Sequence, residues 1–464
     1  MIIRFYHGFP ARLANGASFL LVSVLLASCQ AYVAKSLDPA TTAADFGRRT
    51  LDGPELRGAL VASGHCSGKT WPPSPWKLGE LQGAALHYHP EIAVAKAQAA
   101  TALAAITTAD TPPNPSLSLL PELNANPGAG VSPWLFGFSL DLPIETAGKR
   151  GERTAKARSE ANAASLRIAG SAWAVTSGVR AALLEIETSA RRLELLESQY
   201  QNDVSLVAMA DSRVKAGEAA RTELATYQSQ LNRDSLDLAD GRSRIDAARA
   251  KLADSLGVPA TALRSTSLSF GPLDHFPKLP GDKSLRRAAL LLRPDVLGSL
   301  EEYAAADAGL RLEIANQTPD LHLNPGYTFD QGQSKWALGV GLTLPVDRNR
   351  GPIREAVAKR EETAAVFERL QIGIRGELDQ ALATYRADLQ RLQEIDGLVL
   401  SQKAQLEDAR ELAAKGEGDR LAESAARALV FQAELGRIEA LDRAQQSLGR
   451  LQDSARLDLS RTNP

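Results

Sequence analysis

Side chains able to do chemistry are few in this chain, and they are scattered. The six histidines form no cluster, and His87 and His89 are two residues apart, a spacing that puts them on different faces of a helix. Neither they nor the two cysteines, Cys29 and Cys66, stand at metal-ligand spacing, so no metal site is expected. The segment "GKRGER" (148–153) has neither the glycine spacing nor the Lys-Ser/Thr of a phosphate-binding loop. No nucleophile is spaced with a base in a recognisable constellation. No catalytic residue or cofactor is therefore assigned, and an enzyme is not expected. With 53 Lys+Arg against 55 Asp+Glu, bulk nucleic-acid binding has no electrostatic support.

One cysteine has a chemistry of its own. Arg4 and Arg12 precede the apolar run "FLLVSVLLA" (Phe19–Ala27), the pattern of a secretory signal. The tetrad "LASC" (Leu26–Cys29) at its end resembles a bacterial lipoprotein lipobox, which implies that Cys29 becomes an acylated first residue. The plainer alternative is a signal cut after "LAS". Gln30 stands where that family places Asp in inner-membrane lipoproteins, so the outer membrane is favoured. The single cysteine left, Cys66, cannot form an internal disulfide. The expected layout is a signal peptide at 1–28 and a lipidated N-terminal tether at 29–75.

The elements come next, and they come twice. "HPEIAVAKAQAATALAAITTADTPPNPSLSL" (His89–Leu119) aligns with "RPDVLGSLEEYAAADAGLRLEIANQTPDLHL" (Arg293–Leu323). "FSLDLPIETAGKRGE" (Phe138–Glu152) aligns with "VGLTLPVDRNRGPI" (Val340–Ile353), and "KAGEAARTEL" (Lys215–Leu224) with "AKGEGDRLAE" (Ala414–Glu423). The order is kept, as in a tandem duplication. The first repeat is placed at 76–256, an equatorial linker at 257–285 and the second repeat at 286–464. Each copy reads as a helix, two short strands, a long proline-free run, a glycine break and a last helix.

The long runs, from about Gly151 to Ala216 and about Ile353 to Lys415, read as coiled-coil helices. Leu183, Ile186, Ala190, Leu193, Leu196, Tyr200, Val204, Val207, Ala210 and Val214 recur at close to heptad spacing, between charged residues. A helix of about 65 residues spans roughly 98 Å, and two of about 32 and 37 residues sum to roughly 104 Å. The two shorter helices of each copy can therefore stack end to end beside the long one. Only 5% aromatic residues fits such helices better than a compact globular core.

The strands are of another kind. Trp134, Phe136, Phe138, Leu140 and Leu142 alternate with Leu135, Gly137, Ser139 and Asp141. Trp336, Leu338, Val340, Leu342 and Leu344 alternate with Ala337, Gly339, Gly341 and Thr343. A bulky apolar face opposite a small or polar one is the pattern of a membrane barrel, lipid outside and lumen inside. The expected strands are Ser116–Asn124, Trp134–Leu142, Asp320–Asp330 and Trp336–Leu344, with Trp134 and Trp336 at strand starts in an interfacial girdle. Four strands cannot close a barrel, and an open edge in lipid leaves backbone groups unpaired. A single chain is thus incomplete and must associate through a cyclic symmetry.

These features together resemble the TolC-type outer-membrane factors over nearly the whole chain after Cys29. "LPIETAGKRGERTAKAR" and "LPVDRNRGPIREAVAKR" are most similar to the cation-efflux branch. The resemblance implies a mainly α fold with a small membrane β-barrel part: a duplicated long-helix coiled-coil α-barrel and four strands per chain, closing as a homotrimer with twelve strands. It implies an exit duct of a tripartite efflux pump, set in outer membrane lipid and reaching into the periplasm. Its partners would be a periplasmic adaptor (membrane fusion protein) and an inner-membrane transporter, often of the resistance–nodulation–division type. The alternatives are a type I secretion channel or, from another class, a non-channel periplasmic scaffold or adaptor lipoprotein. By the same resemblance the breaks at Lys215–Thr222 and Lys415–Leu421 are adaptor-contact tips. Gly217, Glu223, Gly416, Asp419, Arg420 and Glu423 are candidates there for contact and for a gate. The family commonly has Asp six residues after the tip glycine. Glu223 holds that place in the first copy and Ala422 in the second, with Glu423 one further on.

Overall fold

The computed structural model describes residues 32–66, 70–415, 417 and 420–459. The expected signal peptide, Cys29, Gly416, Asp419 and the Arg420 side chain lie outside the described residues. The chain divides into two units at Arg48/Arg49. In the first, helix α1 (Pro39–Gly47) starts at Asp38, whose carboxylate accepts the N–H groups of Ala40 and Thr41 at 3.1 Å each. This is an N-cap, and it holds the Asp38 carboxyl below its usual range, chiefly through the Thr41 hydroxyl.

The second unit carries both repeats. In the first copy α2 (Pro54–Ala62), β1 (Trp76–Lys77), α3 (Leu78–Tyr88) and α4 (Pro90–Asp110) lead to the strands β2 (Ser116–Leu123) and β3 (Trp134–Ile144). Then α5 runs unbroken from Lys149 to Lys215, 67 residues, and α6 from Arg221 to Leu256. In the second copy α7 (Asp282–Leu291) and α8 (Pro294–Ala315) lead to β5 (Leu321–Asp330) and β6 (Gln333–Leu342). There α9 runs from Arg350 to Ala414, 65 residues, and α10 from Arg420 to Ala455. Each long helix packs against both shorter helices of its copy.

The core sits near the middle of the long helices. Leu56, Leu60, Leu81, Val179, Leu183, Leu252, Leu256 and Leu263 form one cluster, all 0–1% exposed. Leu285, Ile374, Leu378, Tyr385, Leu451 and Leu459 form its counterpart in the second copy. At this height the shorter helices meet end to end. Gly257 caps α6 at φ +71, and a Cβ there would lie 2.8 Å from the Tyr88 carbonyl oxygen. Only glycine satisfies both demands. Arg49 bridges the same junction, donating from Nη1 to the carbonyls of Tyr88 (3.0 Å) and Gly257 (2.8 Å). Arg293 plays the corresponding part in the second copy, with Nη1 on the Ser454 carbonyl at 2.6 Å and a two-pronged hold on Asp295.

Three differences from the sequence reading have local causes. The region 49–75 is not a loose tether, because α2 inserts Leu56 and Leu60 into the core. The linker pairs with the chain just after that region: β4 (Leu268–Ser269), which follows a short 3-10 turn at Ala260–Leu263, lies parallel to β1, Trp76 opposite Leu268. The coiled-coil seam of α5 beyond Leu196 is Gln199, Asp203, Leu206 and Ala210, all buried, whereas Val204 is 38% exposed. The apolar period in the sequence runs through Tyr200 and Val204, but α6 covers α5 at a different phase.

Candidate functional site

The four long strands form one antiparallel sheet in the order β2-β3-β5-β6. Its register decides which side chains share a face. Leu117, Leu119, Pro121 and Leu123 stand opposite Leu140, Phe138, Phe136 and Trp134. Phe138 and Leu142 then face Tyr327 and Leu323, which face Trp336 and Val340 in turn. Leu338 pairs with Pro325 and Leu342 with Leu321. One face is therefore apolar across the whole sheet except at Ser334, opposite Phe329. The other carries Ser116, Ser118, Ser139, Asp141, His322, Asn324, Thr328 and the glycines 137, 326, 339 and 341.

The apolar face is bare. Trp336 is 78% exposed, Leu338 73% and Leu119 69%, values no water-facing sheet of this composition sustains. Trp134, Phe136 and Phe138 are also exposed, and Leu140 is half-buried. Rings cluster at one end: Trp134 stacks on Phe136, and Tyr327 lies 4.8 Å from Trp336. On the polar face His322 Nδ1 meets the Asp141 carboxylate at 3.0 Å.

Trp336 does not begin its strand. Gln331 and Gly332 both take positive φ, 51 and 79, so a two-residue turn joins β5 to β6 and Asp330 already pairs with Gln333. Trp336 is the fourth residue of β6. Leu344, expected to be its last, lies beyond the end at Leu342.

Where strands give way to helices, a polar clamp appears that sequence reasoning missed. Arg153 donates to both oxygens of Glu145 (2.5 and 3.1 Å) and to the carbonyls of Ala109 (2.7 Å) and Thr111 (3.2 Å). The end of α4, the end of β3 and the start of α5 are tied by one guanidinium. The Glu145 carboxylate raises the Arg153 pKa further, so this charge is permanent. Lys149, 7% exposed, reaches Asp320 at 2.8 Å and so links α5 to the start of β5. Arg311 on α8 reaches Glu152 on α5 at 2.8 Å. In the second copy Asn349 does similar work, donating to the Glu313 carbonyl and carboxylate at 2.8 Å each. The signal was present in "ETAGKRGER" (145–153), which crowds five charged residues into nine where strand gives way to helix.

At the other end both hairpins close alike. Glu218 N–H bonds the Arg213 carbonyl at 2.8 Å around Gly217 (φ +75), and Glu417 N–H bonds the Leu412 carbonyl at 3.0 Å. These six-to-one bonds stop the long helices in the same way. The candidate gate acids are not bare carboxylates. Glu223 lies 3.6 Å from Arg213 on the facing helix, and Glu423 lies 2.8 Å from Arg427 and 3.5 Å from Arg410. Local arginines therefore offset part of the charge that either acid would lend a ring.

Known proteins share this architecture. Residues 81–258, from α3 to just past α6, match the outer membrane efflux protein family. The pyoverdine export outer membrane protein OpmQ of Pseudomonas putida is 26% identical over 214 residues, 43% of this chain and 44% of that protein. The match thus spans less than half of that relative's length. A membrane protein from Pseudomonas aeruginosa has the same fold, with TM-score 0.68 and 21% identity over 82% of this chain and 93% of the other. The outer membrane protein VceC of Vibrio cholerae follows, with TM-score 0.67 and 17% identity over 82% and 95%.

Proposed function

Residues 81–258 belong to the outer membrane efflux protein family and the chain has the fold of its TolC-type channels, and from that premise we propose that this protein is the outer-membrane exit duct of a tripartite efflux pump. The observation that carries this reading is the sheet: four strands, one continuous bare apolar face, and two edge strands, β2 and β6, with a row of backbone groups turned outward. In lipid each unpaired backbone group costs several kcal/mol, so the edges must meet other edges. Three copies joining β6 to β2 make a twelve-stranded barrel around a lumen lined by serine, glycine and the Asp141–His322 pair. The long helices continue that lumen into the periplasm. A coiled-coil scaffold or adaptor lipoprotein has no use for such a sheet.

The domain plan follows: a signal at 1–28, an acylated Cys29 leading a segment to 75, repeats at 76–256 and 286–464, and a linker at 257–285. Mass spectrometry of the purified protein is expected to find acyl chains on residue 29. A mature chain starting at any other residue, unmodified, removes the lipid anchor from this reading.

The helical tips carry docking and closure. The adaptor grips the hairpin ends around Gly217 and Gly416, and the inner-membrane transporter, of resistance–nodulation–division or another type, works through it. Substrate choice rests with that transporter. The second tip, whose sequence has two glycines and the adjacent charges Asp419 and Arg420, is the one expected in this reading to open. Charge pairs formed there between subunits would each be worth only about 0–1 kcal/mol, but would repeat by symmetry. Replacing Asp419 and Arg420 together by Ala is expected to raise single-channel conductance in planar bilayers and sensitivity to large antibiotics. Substitutions in the outer loop 124–133 are expected to leave both unchanged. Protein that never conducts in bilayers defeats the duct reading, and a leak only from the outer loop moves the closed point to the cell surface.

A further inference from the structure

The seam between α5 and α6 holds two acids where a coiled coil takes apolar side chains. Asp203 and Asp234 are 4% and 5% exposed, at neighbouring heights in the same hairpin. Each is roughly 20 Å from the tip, 12 or 13 residues along its helix. Amides serve one oxygen of each acid. Gln199 Nε2 and Asn202 Nδ2 donate to Asp203 Oδ1 at 3.0 and 3.1 Å, and Gln230 Nε2 donates to Asp234 Oδ1 at 2.9 Å. Asp234 Oδ2 is buried toward Asp203, and among the described residues no N–H or hydroxyl reaches it. A proton on that oxygen supplies the missing hydrogen bond.

We infer that Asp203 and Asp234 form a proton-binding site that shares one proton across the seam and locks the first helical hairpin. Two carboxylates this deeply buried cannot both ionise without cost. The charged groups acting on Asp234 are Asp203 from α5 and Asp237 from its own helix, both acidic. Arg233, next in the chain, is exposed and turned toward Ser229. Burial first, and then Asp203, push the Asp234 carboxyl from 3.8 up to about 7. The folded hairpin therefore binds the proton more tightly than the unfolded chain does. Its local stability falls as pH rises from about 4 to about 7, and above that the dyad carries two facing charges.

The second hairpin lacks the device. With Gly217 aligned on Gly416, Asp203 corresponds to Gln402 and Asp234 to Ala433, both neutral. The site belongs to the helix pair and stands whether or not the chain conveys solutes. Only its consequence for a duct, one hairpin of two that loosens near neutrality, rests on the function proposed above.

Hydrogen–deuterium exchange of the full-length protein in detergent tests this, at about pH 5 and about pH 8.5 with intrinsic rates corrected. Protection of residues 199–237 is expected to fall by about tenfold to a hundredfold at the higher pH, while 398–436 is unchanged. Asp234→Asn is expected to abolish the pH dependence and keep protection high, and Asp203→Asn, which removes the second acid but not the burial, to weaken it. Equal protection of 199–237 at both pH values in the unsubstituted protein overturns the inference. So does an equal loss in the second hairpin, or a pH dependence that survives both substitutions.

Discussion

Arginine at Val340 is expected to prevent stable insertion, whereas arginine at Ala337, three residues earlier on the same strand, is not. Val340 is 63% exposed on the bare apolar face, opposite Leu323, while Ala337 lies on the small-residue face opposite Gly326. A lipid-facing arginine near the bilayer midplane costs about 2–4 kcal/mol, and a symmetric barrel repeats that cost in every copy. Arginine in a water-filled lumen keeps its hydration. Gly339 is a poorer control than Ala337, because a Cβ there would lie 3.2 Å from Asn324 Cβ and add a packing effect. Heat-modifiable migration and yield of folded protein in liposomes read the difference. Equal loss from both substitutions means that the two faces do not see different solvents, and the sheet is then not in a membrane.

The second large effect is expected at Arg153. Replacing it with Ala strands Glu145, whose side chain is 15% exposed, and removes a donor from the carbonyls of Ala109 and Thr111. Breaking a buried pair costs about 3–5 kcal/mol, and with the Arg153 side chain 34% exposed about 2–3 is the fair figure. Lysine should restore only part, since it keeps the charge but not the forked geometry. Arg150 is the control. It is 53% exposed and 3.8 Å from Asp110, a surface pair worth about 0–1 kcal/mol. The thermal unfolding midpoint and exchange protection of residues 109–116 and 145–153 should fall for Arg153→Ala and barely move for Arg150→Ala. If the two variants behave alike, the Arg153 clamp does not hold the strands to the helices.

Much of the fold was legible because it repeats. Period-two alternation in "WLFGFSLDL" and "WALGVGLTL" separates two faces without knowledge of any neighbour. The registers show why that works: on the apolar face each bulky residue of one strand falls opposite an apolar residue of the next, except where Phe329 meets Ser334. The glycine breaks were legible too, since a helix stops where the chain must turn left-handed. The end of β6 was not. Leu342 to Leu344 continues the alternation, but β5 begins at Leu321 and leaves no partner beyond Leu342. Pairing ends where the partner ends, whatever the side chains.

By itself the sequence determined what is local or periodic: the duplication, the helix lengths, the two-faced strands, and the need of an unclosed sheet for further copies. Tertiary structure decided what depends on the phase and height at which distant segments meet. It placed Asp203 and Gln199 in the seam instead of Tyr200 and Val204, because α6 sets which side of α5 is covered. It brought Arg153 to Glu145 and the end of α4, and Lys149 to Asp320, 171 residues away. Hydrophobicity is a property of a residue and can be read from the chain. Burial and charge pairing are properties of a place, and the place exists only once both partners have arrived.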